Sequence, residues 1–397
     1  MRHSRPLLLL TAALSLAACG DQTPLDPDLR PGESFSVLRS GPHAWDGTTP
    51  LNLTGTIGPG ADYGIMVPPG WNGDLVLYAH GFVDPDGSEP LTPEEQALIA
   101  AFAQAGYGVA YSAFSENGLA VKDGVQRTQQ LRGLFRSNVG LPDRTFVVGG
   151  SLGGLIGIAL AERFPQHYAG VLALCGMVGG SQAQIDYVSH VRVLFDALYP
   201  GVLPGSLFDN PPLSRMEVAM LVGGAVAADP AGAAALAGVM ASTFGTPVPF
   251  ATPEQLVQSL VVALAFNIRG FEDVLDRTRG HSPFGNDHVV YSGTGTPMGD
   301  AWLNEAVARY EATPDAARYF DHFYEPDGSI GLPVVTLHNM LDPAVPAFHE
   351  ALLAADVGNA GAQSSLVQLT ADRYGHCAFE QAEVLGAFGM MVAAAGS

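Results

Sequence analysis

The sequence predicts an α/β fold, with a mostly parallel sheet, helices on both faces and a large helical insertion. Three observations predict it. From residue 74 onwards, short apolar runs alternate with helical patterns. This alternation stops over residues 178–330 and then resumes. Apolar residues make up 47% of the 397-residue chain and charged residues only 14%, which is enough apolar material for a large buried core.

The part before the insertion contains four predicted strands and three predicted helices. The strands are predicted over residues 74–80, 107–112, 144–148 and 170–175, and the helices over residues 92–105, 125–136 and 152–163. The first helix has a clear start, because Thr92 is a good N-cap and Pro93 suits the first helical position. Such alternation implies parallel strands that are joined by right-handed crossovers.

Residues 178–330 have a helical pattern that is interrupted by proline-containing breaks. We interpret them as a cap inserted into the core, with a separate second domain as the alternative. After the insertion the sequence predicts strands over residues 332–338 and 365–370 and helices over residues 347–355 and 379–393. The α/β core is therefore expected to comprise residues 51–177 and 331–397.

The N-terminus has the pattern of an export signal. Residues 1–18 combine two arginines with a 12-residue apolar stretch, which is too short for a permanent membrane span. The run Leu16-Ala17-Ala18-Cys19 resembles the lipobox of bacterial lipoproteins, which implies lipidation of Cys19; the alternative is an ordinary secretory signal. Residues 19–50, rich in Pro, Gly and Asp, are predicted to be a flexible tether. We therefore expect an extracytoplasmic protein, lipid-anchored to a bacterial membrane.

Charge and cysteine content narrow the choice of partners. The chain has 18 Lys and Arg against 39 Asp and Glu, a net charge of −21 that argues against nucleic acid as a partner. Apart from Cys19, only Cys175 and Cys377 remain, and they could pair in an oxidising compartment. No CxxC or HExxH pattern occurs, so we expect neither a metal nor another cofactor.

The strongest chemical signal is the run Gly149-Gly150-Ser151-Leu152-Gly153. It fits G-x-S-x-G and lies between a predicted strand and a predicted helix, which is the context that a nucleophile elbow requires. Small neighbours allow the sharp turn, and the free N–H groups at the start of the helix point to where an oxyanion would form. Ser151 is therefore the predicted nucleophile, and the N–H of Leu152 is one predicted oxyanion donor.

A second donor is predicted from His80-Gly81-Phe82, which ends the first core strand. In an α/β-hydrolase the loop at this point supplies the other oxyanion-hole N–H, and Phe82 is the residue in that position. We interpret His80 as a structural residue that fixes the loop rather than as a catalytic base.

A serine hydroxyl needs a base to take its proton and a carboxylate to orient that base. In this fold the chain order is Ser, acid, His. Asp342 and His376 each follow a predicted strand, and parallel strands end at the same sheet edge, so both are expected beside Ser151. The rivals of Asp342 as the acid are Asp186 and Asp372.

Together these motifs resemble the α/β-hydrolase superfamily, in particular its bacterial secreted or lipoprotein members. A narrower likeness is to the tannase and feruloyl esterase group, through Pro69 with Trp71-Asn72-Gly73 and through His376-Cys377. In that group the Cys after the histidine is disulfide-bonded to a Cys immediately before the nucleophile. Here Gly150 occupies that position, so Cys175 could be the partner instead, or Cys377 could be a buried thiol.

The predicted activity is hydrolysis of a small carboxylic ester with an apolar acyl or aryl group. The same superfamily also implies a serine aminopeptidase as an alternative, which would need an acidic anchor such as Glu217, Glu272 or Asp273. A non-catalytic surface-binding lipoprotein is the alternative from another class. Within the cap, residues 281–286 and Tyr291 are expected either to line the entrance or simply to pack.

Overall fold

A computed structural model describes residues 45–88 and 91–396. The described residues form one eight-stranded sheet with the order β1-β2-β4-β3-β5-β6-β7-β8. The strands are β1 (Leu51–Ile57), β2 (Ala61–Val67), β3 (Leu75–Ala79), β4 (Gly108–Ser112), β5 (Thr145–Gly150), β6 (Gly170–Leu174), β7 (Val334–Leu341) and β8 (Leu366–Tyr374). The pairs β1–β2 and β2–β4 are antiparallel, and every other neighbouring pair is parallel.

Eleven α-helices accompany the sheet in the described part of the chain. They are α1 (Pro93–Gln104), α2 (Val121–Asn138), α3 (Leu152–Arg163), α4 (Ser181–Leu198), α5 (Arg215–Ala228), α6 (Pro230–Phe244), α7 (Pro253–Arg277), α8 (Pro297–Ala306), α9 (Pro314–Phe323), α10 (Phe348–Asn359) and α11 (Gln381–Ala394). The predicted helix start at Thr92 is present as a full capping box with Glu95. The predicted α/β fold with a mostly parallel sheet is thereby confirmed.

The two faces of the sheet are covered by different helices. Successive side chains of β3 alternate, so Leu75 and Leu77 pack into the apolar cluster that includes α2 and α3. Val76 and Tyr78 pack into the cluster on the other face, with α1 and α11. Both faces of the central strands are therefore buried, which explains why these strands are almost continuously apolar in the sequence.

The antiparallel hairpin β1–β2 was not predicted as strands. Side chains of β1 alternate between half-buried and exposed, and its Asn, Thr and Gly residues give it little apolar signal. In the described end of the predicted tether, residues 45–50, Trp45 lies against the core and residues 46–50 are exposed. Trp45 packs edge-on to Trp71, with ring centroids 5.6 Å apart, and the backbone N–H of Trp45 donates to the carbonyl of Asn138. Cys19 and the signal pattern lie outside the described residues.

Residues 178–330, all of them described, contain helices α4 to α9 and no strand. They form the connection between β6 and β7, which are neighbours in the sheet. No single helix in the described part of the chain is long and apolar enough to cross a membrane. Helices α5 and α6 satisfy that criterion only as a pair, and the chain bends by 103° between them.

Candidate active site

Ser151 lies on a strained turn between β5 and α3. Its φ of 57° and ψ of −119° fall in a region that side-chain-bearing residues rarely adopt. The flanking glycines are required by space: a Cβ at Gly149 would overlap the carbonyl of Gly153, and a Cβ at Gly153 would overlap the carbonyl of Ala79. The G-x-S-x-G motif therefore does here what a nucleophile elbow needs, because it lets the serine project above the sheet edge.

The loop after β3 lies directly against this serine. A Cβ at Gly81 would lie 3.2 Å from the Cβ of Ser151. Among the described residues, no acceptor pairs with the backbone N–H of Phe82 or with that of Leu152. Two free N–H groups thus flank the nucleophile on separate elements, and the start of α3 adds its positive dipole end.

His80 has a structural role in this loop. Its ring is buried, stacks on Phe114 with a centroid distance of 3.8 Å, and donates from Nδ1 to the carbonyl of Gly81 at 2.7 Å. Burial lowers its pKa, which favours the neutral ring. The geometry agrees with the interpretation of His80 as a residue that fixes the loop.

Asp342 and His376 are brought together at the ends of β7 and β8. The imidazole donates from Nδ1 to Asp342 Oδ2 at 2.8 Å. The carboxylate is fully buried, and its Oδ1 also accepts the N–H groups of Ala344 at 2.8 Å and Val345 at 3.0 Å. Because Nδ1 carries the donated proton, Nε2 is left as the basic nitrogen, which is the tautomer that a general base requires.

A second buried histidine lies behind Asp342. His338 Nε2 is 3.9 Å from Asp342 Oδ2 and 2.8 Å from the carbonyl of Val345, while its Nδ1 is 3.0 Å from Glu350 Oε1. Burial opposes a charge on His338, but the hydrogen bond and the charge of Glu350 outweigh it and raise its pKa. The sequence analysis missed this network, because nothing in the spacing of Glu350 links it to the site.

Cys175 and Cys377 form a disulfide bond. It joins the residue after β6 to the loop that carries His376, and both cysteines have a positive φ. A Cβ at Gly150 would lie 3.9 Å from Cys377 Sγ, so the position that carries a cysteine in the tannase and feruloyl esterase group lies next to the same sulfur. Cys377 Sγ is 3.7 Å from His376 Nε2.

Among the described residues, Cys175, His376 and Cys377 lie close enough together to hold a metal ion by spacing alone. The Sγ atoms of both cysteines and a ring nitrogen of His376 lie within 4.8 Å of one another. Because the two sulfurs are bonded to each other, neither is a thiolate, which is the form that binds metals.

Ser151 and His376 line one cavity of about 750 Å³. No hydrogen bond links the serine hydroxyl to the imidazole in the described residues, and contacts of this kind are often long in enzymes without substrate. The walls are mostly apolar, and their ionisable side chains other than His376 are three carboxylates and a buried phenol. The residues concerned are Phe82, Val83, Leu98, Leu174, Phe379 and Val384 among the apolar ones, with Asp84, Glu94, Glu95 and Tyr78.

None of the lining residues comes from the cap, residues 178–330. Phe284, Asn286 and Tyr291, which were expected either at the entrance or in packing, are fully buried within the cap. Asn286 donates to Tyr291 Oη at 3.0 Å, so these residues hold cap elements together.

In the described residues, neither Asp186 nor Asp372 is hydrogen-bonded to the imidazole of His376. Asp186, on α4, accepts from Gln182 at 2.9 Å, and burial raises its pKa to about 7. Asp372 is exposed on β8. Of the three candidate acids, only Asp342 is hydrogen-bonded to the imidazole.

Ser151, Asp342 and His376 thus follow the parallel strands β5, β7 and β8 at one edge of the sheet, in the chain order that the sequence predicts, with β6 between β5 and β7. The fold is that of the α/β-hydrolases. No protein-family model matches the chain, and no curated protein matches it.

Solved structures show distant likenesses. Brefeldin A esterase, described as a bacterial homologue of human hormone sensitive lipase, is 16% identical, with 91% of this chain and 79% of that one covered and a TM-score of 0.42. An esterase from Aspergillus oryzae is 15% identical, with 88% and 81% covered and a TM-score of 0.43. An acylaminoacyl peptidase from Pyrococcus horikoshii is 10% identical, with a TM-score of 0.39; 82% of this chain is aligned, but it spans only 37% of that protein. Likenesses this weak say nothing about the activity of this chain.

Proposed function

We propose that this protein is a serine hydrolase that cleaves carboxylic esters with a neutral, apolar acyl or aryl group. The observation that carries the proposal is the hydrogen bond from His376 Nδ1 to the buried Asp342, beside a serine on a strained elbow. A non-catalytic binding protein has no need of such a costly arrangement.

The chemistry follows from the positions of these groups. Ser151 Oγ attacks the ester carbonyl while His376 Nε2 takes its proton, and Asp342 stabilises the imidazolium that forms. The N–H groups of Phe82 and Leu152 stabilise the oxyanion, each worth on the order of 3 kcal/mol. His376 then protonates the leaving alcohol, and water attacks the acyl-enzyme in the same way to release the acid and restore the serine.

The cavity supports the choice of substrate. Its apolar residues suit a hydrocarbon acyl chain or an aryl ring. The described wall contains Asp84, Glu94 and Glu95 but no Lys or Arg, so an anionic acyl group would be repelled. Esters with a neutral acyl group are therefore expected to react faster than those with a free carboxylate.

One observation favours an aminopeptidase as a second candidate. Glu94 lines the cavity and makes no side-chain hydrogen bond in the described residues, so it could bind a substrate amino group. The three cap carboxylates suggested by the sequence do not line this cavity. Glu217 caps α5, and Asp273 is hydrogen-bonded to Arg277 and to the N–H of Leu119.

One experiment distinguishes the ester hydrolase from the aminopeptidase and tests whether the protein is an enzyme. Purified protein is incubated with a fluorophosphonate probe and then with p-nitrophenyl esters of varied chain length and aminoacyl p-nitroanilides, beside Ser151→Ala. We expect labelling of the wild type alone and faster turnover of the esters. Faster turnover of the anilides would favour the peptidase, and an unlabelled wild type would contradict both enzymatic functions.

We also propose that the mature protein is anchored to a bacterial membrane through lipid on Cys19, on the extracytoplasmic side. The lipobox-like run supports this, and the Cys175–Cys377 disulfide is typical of oxidising compartments. Cys19→Ser should move the protein from the membrane fraction to the soluble fraction. A protein that is soluble with Cys19 intact would contradict the anchor.

A further inference from the structure

One face of the cap helix α7 lies against the loops beside the nucleophile. Phe266, Arg269, Asp273 and Arg277 recur at three- and four-residue intervals, so they share this face. The ring of Phe266 packs on that of Phe82, with centroids 4.9 Å apart. The cap therefore touches the oxyanion loop although it supplies none of the residues that line the cavity.

Arg269 forms two ion pairs with the oxyanion loop, which we define as residues 81–88. Its Nε is 3.2 Å from Asp84 Oδ2, and its Nη2 pairs with Asp86. One guanidinium thus binds two carboxylates that lie two and four residues after Phe82. Burial opposes the charge on Asp84, but Arg215 and Arg269 hold its pKa below the usual range.

The same helix face holds the neighbouring loop. Asp273 accepts the N–H of Leu119 at 2.7 Å, and Arg277 donates to the carbonyl of Asn117 at 2.7 Å. This loop in turn pairs with the oxyanion loop, since the N–H of Gly118 donates to the carbonyl of Val83 at 2.9 Å. The oxyanion loop is therefore held from two sides, by α7 directly and by α7 through residues 117–119.

We infer that Arg269 is a positioning residue, which fixes the oxyanion loop so that the N–H of Phe82 points at the developing oxyanion. The inference rests on the proposed function and assigns a role to the cap: it supports the transition-state site from behind and leaves substrate binding to the core. Oxyanion donors are effective only when their position is fixed before the reaction, and a displacement of about 1 Å can cost about 100-fold in rate.

Arg269 is better suited to this role than Arg215, which also binds Asp84. The side chain of Arg269 is 17% exposed and binds two carboxylates, whereas that of Arg215 is 64% exposed and binds one. Exposed ion pairs contribute little, and a planar guanidinium that bridges two carboxylates is not replaced well by an ammonium.

The test compares Arg269→Met and Arg269→Lys with the wild type on a neutral p-nitrophenyl ester. We expect Arg269→Met to lower kcat about 10- to 100-fold with KM unchanged within about twofold, because the donor acts in the transition state. Arg269→Lys should recover part of the loss. Arg318→Met, which removes an exposed arginine on α9 that pairs with Asp315, should leave kcat unchanged.

Asp86→Asn keeps the test decisive if Arg269→Met does not fold. Asp86 is 75% exposed, so its substitution spares the core, and we expect kcat to fall about threefold. An unchanged kcat in Arg269→Met, or in Asp86→Asn where Arg269→Met does not fold, would overturn the inference, as would a rise in KM without a fall in kcat.

Amide hydrogen exchange tests the role of Arg269 without measuring activity, so it can fail independently of the proposed function. Amide hydrogen exchange should be faster over residues 81–88 in Arg269→Met than in the wild type, and equal exchange would contradict the clamp. If the wild type does not react with the fluorophosphonate, the proposed function fails while the exchange result still decides whether α7 holds the loop.

Discussion

The carboxyl edge of the sheet and the helical cap contribute to the site in different ways. In the proposed mechanism, the edge supplies the serine, the acid, the base, both oxyanion N–H groups and part of the cavity wall. The cap supplies contacts to the loops behind them, such as that of Arg269 with Asp84. We therefore propose that the core carries out the reaction and that the cap affects it only by fixing the position of the core loops.

The sharpest test of this division compares two aspartates, the fully buried Asp342 at the edge and the partly buried Asp186 in the cap. Asp342→Asn should lower kcat about 10⁴-fold, because the amide stabilises the wrong imidazole tautomer. The matched change Asp186→Asn, in the cap, should leave kcat within about twofold. Steady-state kinetics on one p-nitrophenyl ester measures both values of kcat. A large loss of kcat in Asp186→Asn would contradict the assignment of Asp342 as the acid.

The Cys175–Cys377 disulfide is expected to help position the loop that carries His376. Replacing Cys175 and Cys377 together by serine should lower kcat about 10-fold, because the His376 loop loses its covalent link to the end of β6. The free energy of unfolding should fall by about 2–4 kcal/mol, measured by urea denaturation.

The control for this variant is a reducing agent. A dithiol should lower the activity of the wild type and leave that of the double variant unchanged. Full activity of the double variant would show that the strands alone position His376.

Substrate preference is expected to respond to the cavity wall and not to the cap. Ala97 on α1 is exposed and lines the cavity, so Ala97→Trp should narrow it without disturbing the core. We expect kcat/KM for an octanoyl ester, relative to an acetyl ester, to fall about 10-fold. The matched change Val290→Trp, at an exposed position in the cap, should leave this ratio unchanged. A change of this ratio in Val290→Trp, with none in Ala97→Trp, would mean that the cap determines the substrate preference.

The attachment of the cap to itself is expected to depend on pH. Glu325 accepts the N–H of Gln182, so it links the end of the cap to its beginning. Burial raises the pKa of Glu325 from 4.5 to about 8, so the folded state binds more protons than the unfolded state between these values. The free energy of unfolding should therefore fall as pH rises from about 4.5 to about 8, by up to about 1.4 kcal/mol per pH unit for this group.

Glu325→Gln should make this decline shallower, as measured by urea denaturation between pH 5 and pH 8. Other groups also contribute: burial raises the pKa values of Asp186 and Glu162 to about 7, which adds to the decline, and lowers those of His190 and His349 from 6.5 to about 3, which opposes it. The exposed Glu311 offers a matched Gln variant, which should follow the wild type. Equal slopes in the wild type and in Glu325→Gln would mean that Glu325 stays ionised in the fold.

Much of the edge could be predicted because its signals are local. Ser151 directly follows β5, Asp342 directly follows β7, and His376 comes two residues after β8, so strand ends and chain order were sufficient to locate them. The hairpin β1–β2 was missed because an edge hairpin rich in polar residues resembles a loop in the sequence.

Contacts between distant segments could not be predicted in the same way. Leu119 and Asp273 are 154 residues apart, and nothing near either residue indicates the pairing. The same holds for the cavity wall, which combines α1 and the start of α11 although neither carries a chemical motif. From the sequence, residues 281–286 and Tyr291 of the cap could either line the entrance or simply pack, and the contacts of α7 with the core loops could not be foreseen.

The cross-link between Cys175 and Cys377 spans 202 residues and encloses the whole insertion. A cut in any surface loop of the enclosed segment would leave a two-chain molecule with its reactive groups still tethered to one another. Proteolysis within residues 178–330 would then break the backbone while the two parts of the fold stay covalently joined. Under denaturing conditions, the two pieces of the cut chain would separate only after reduction of the disulfide.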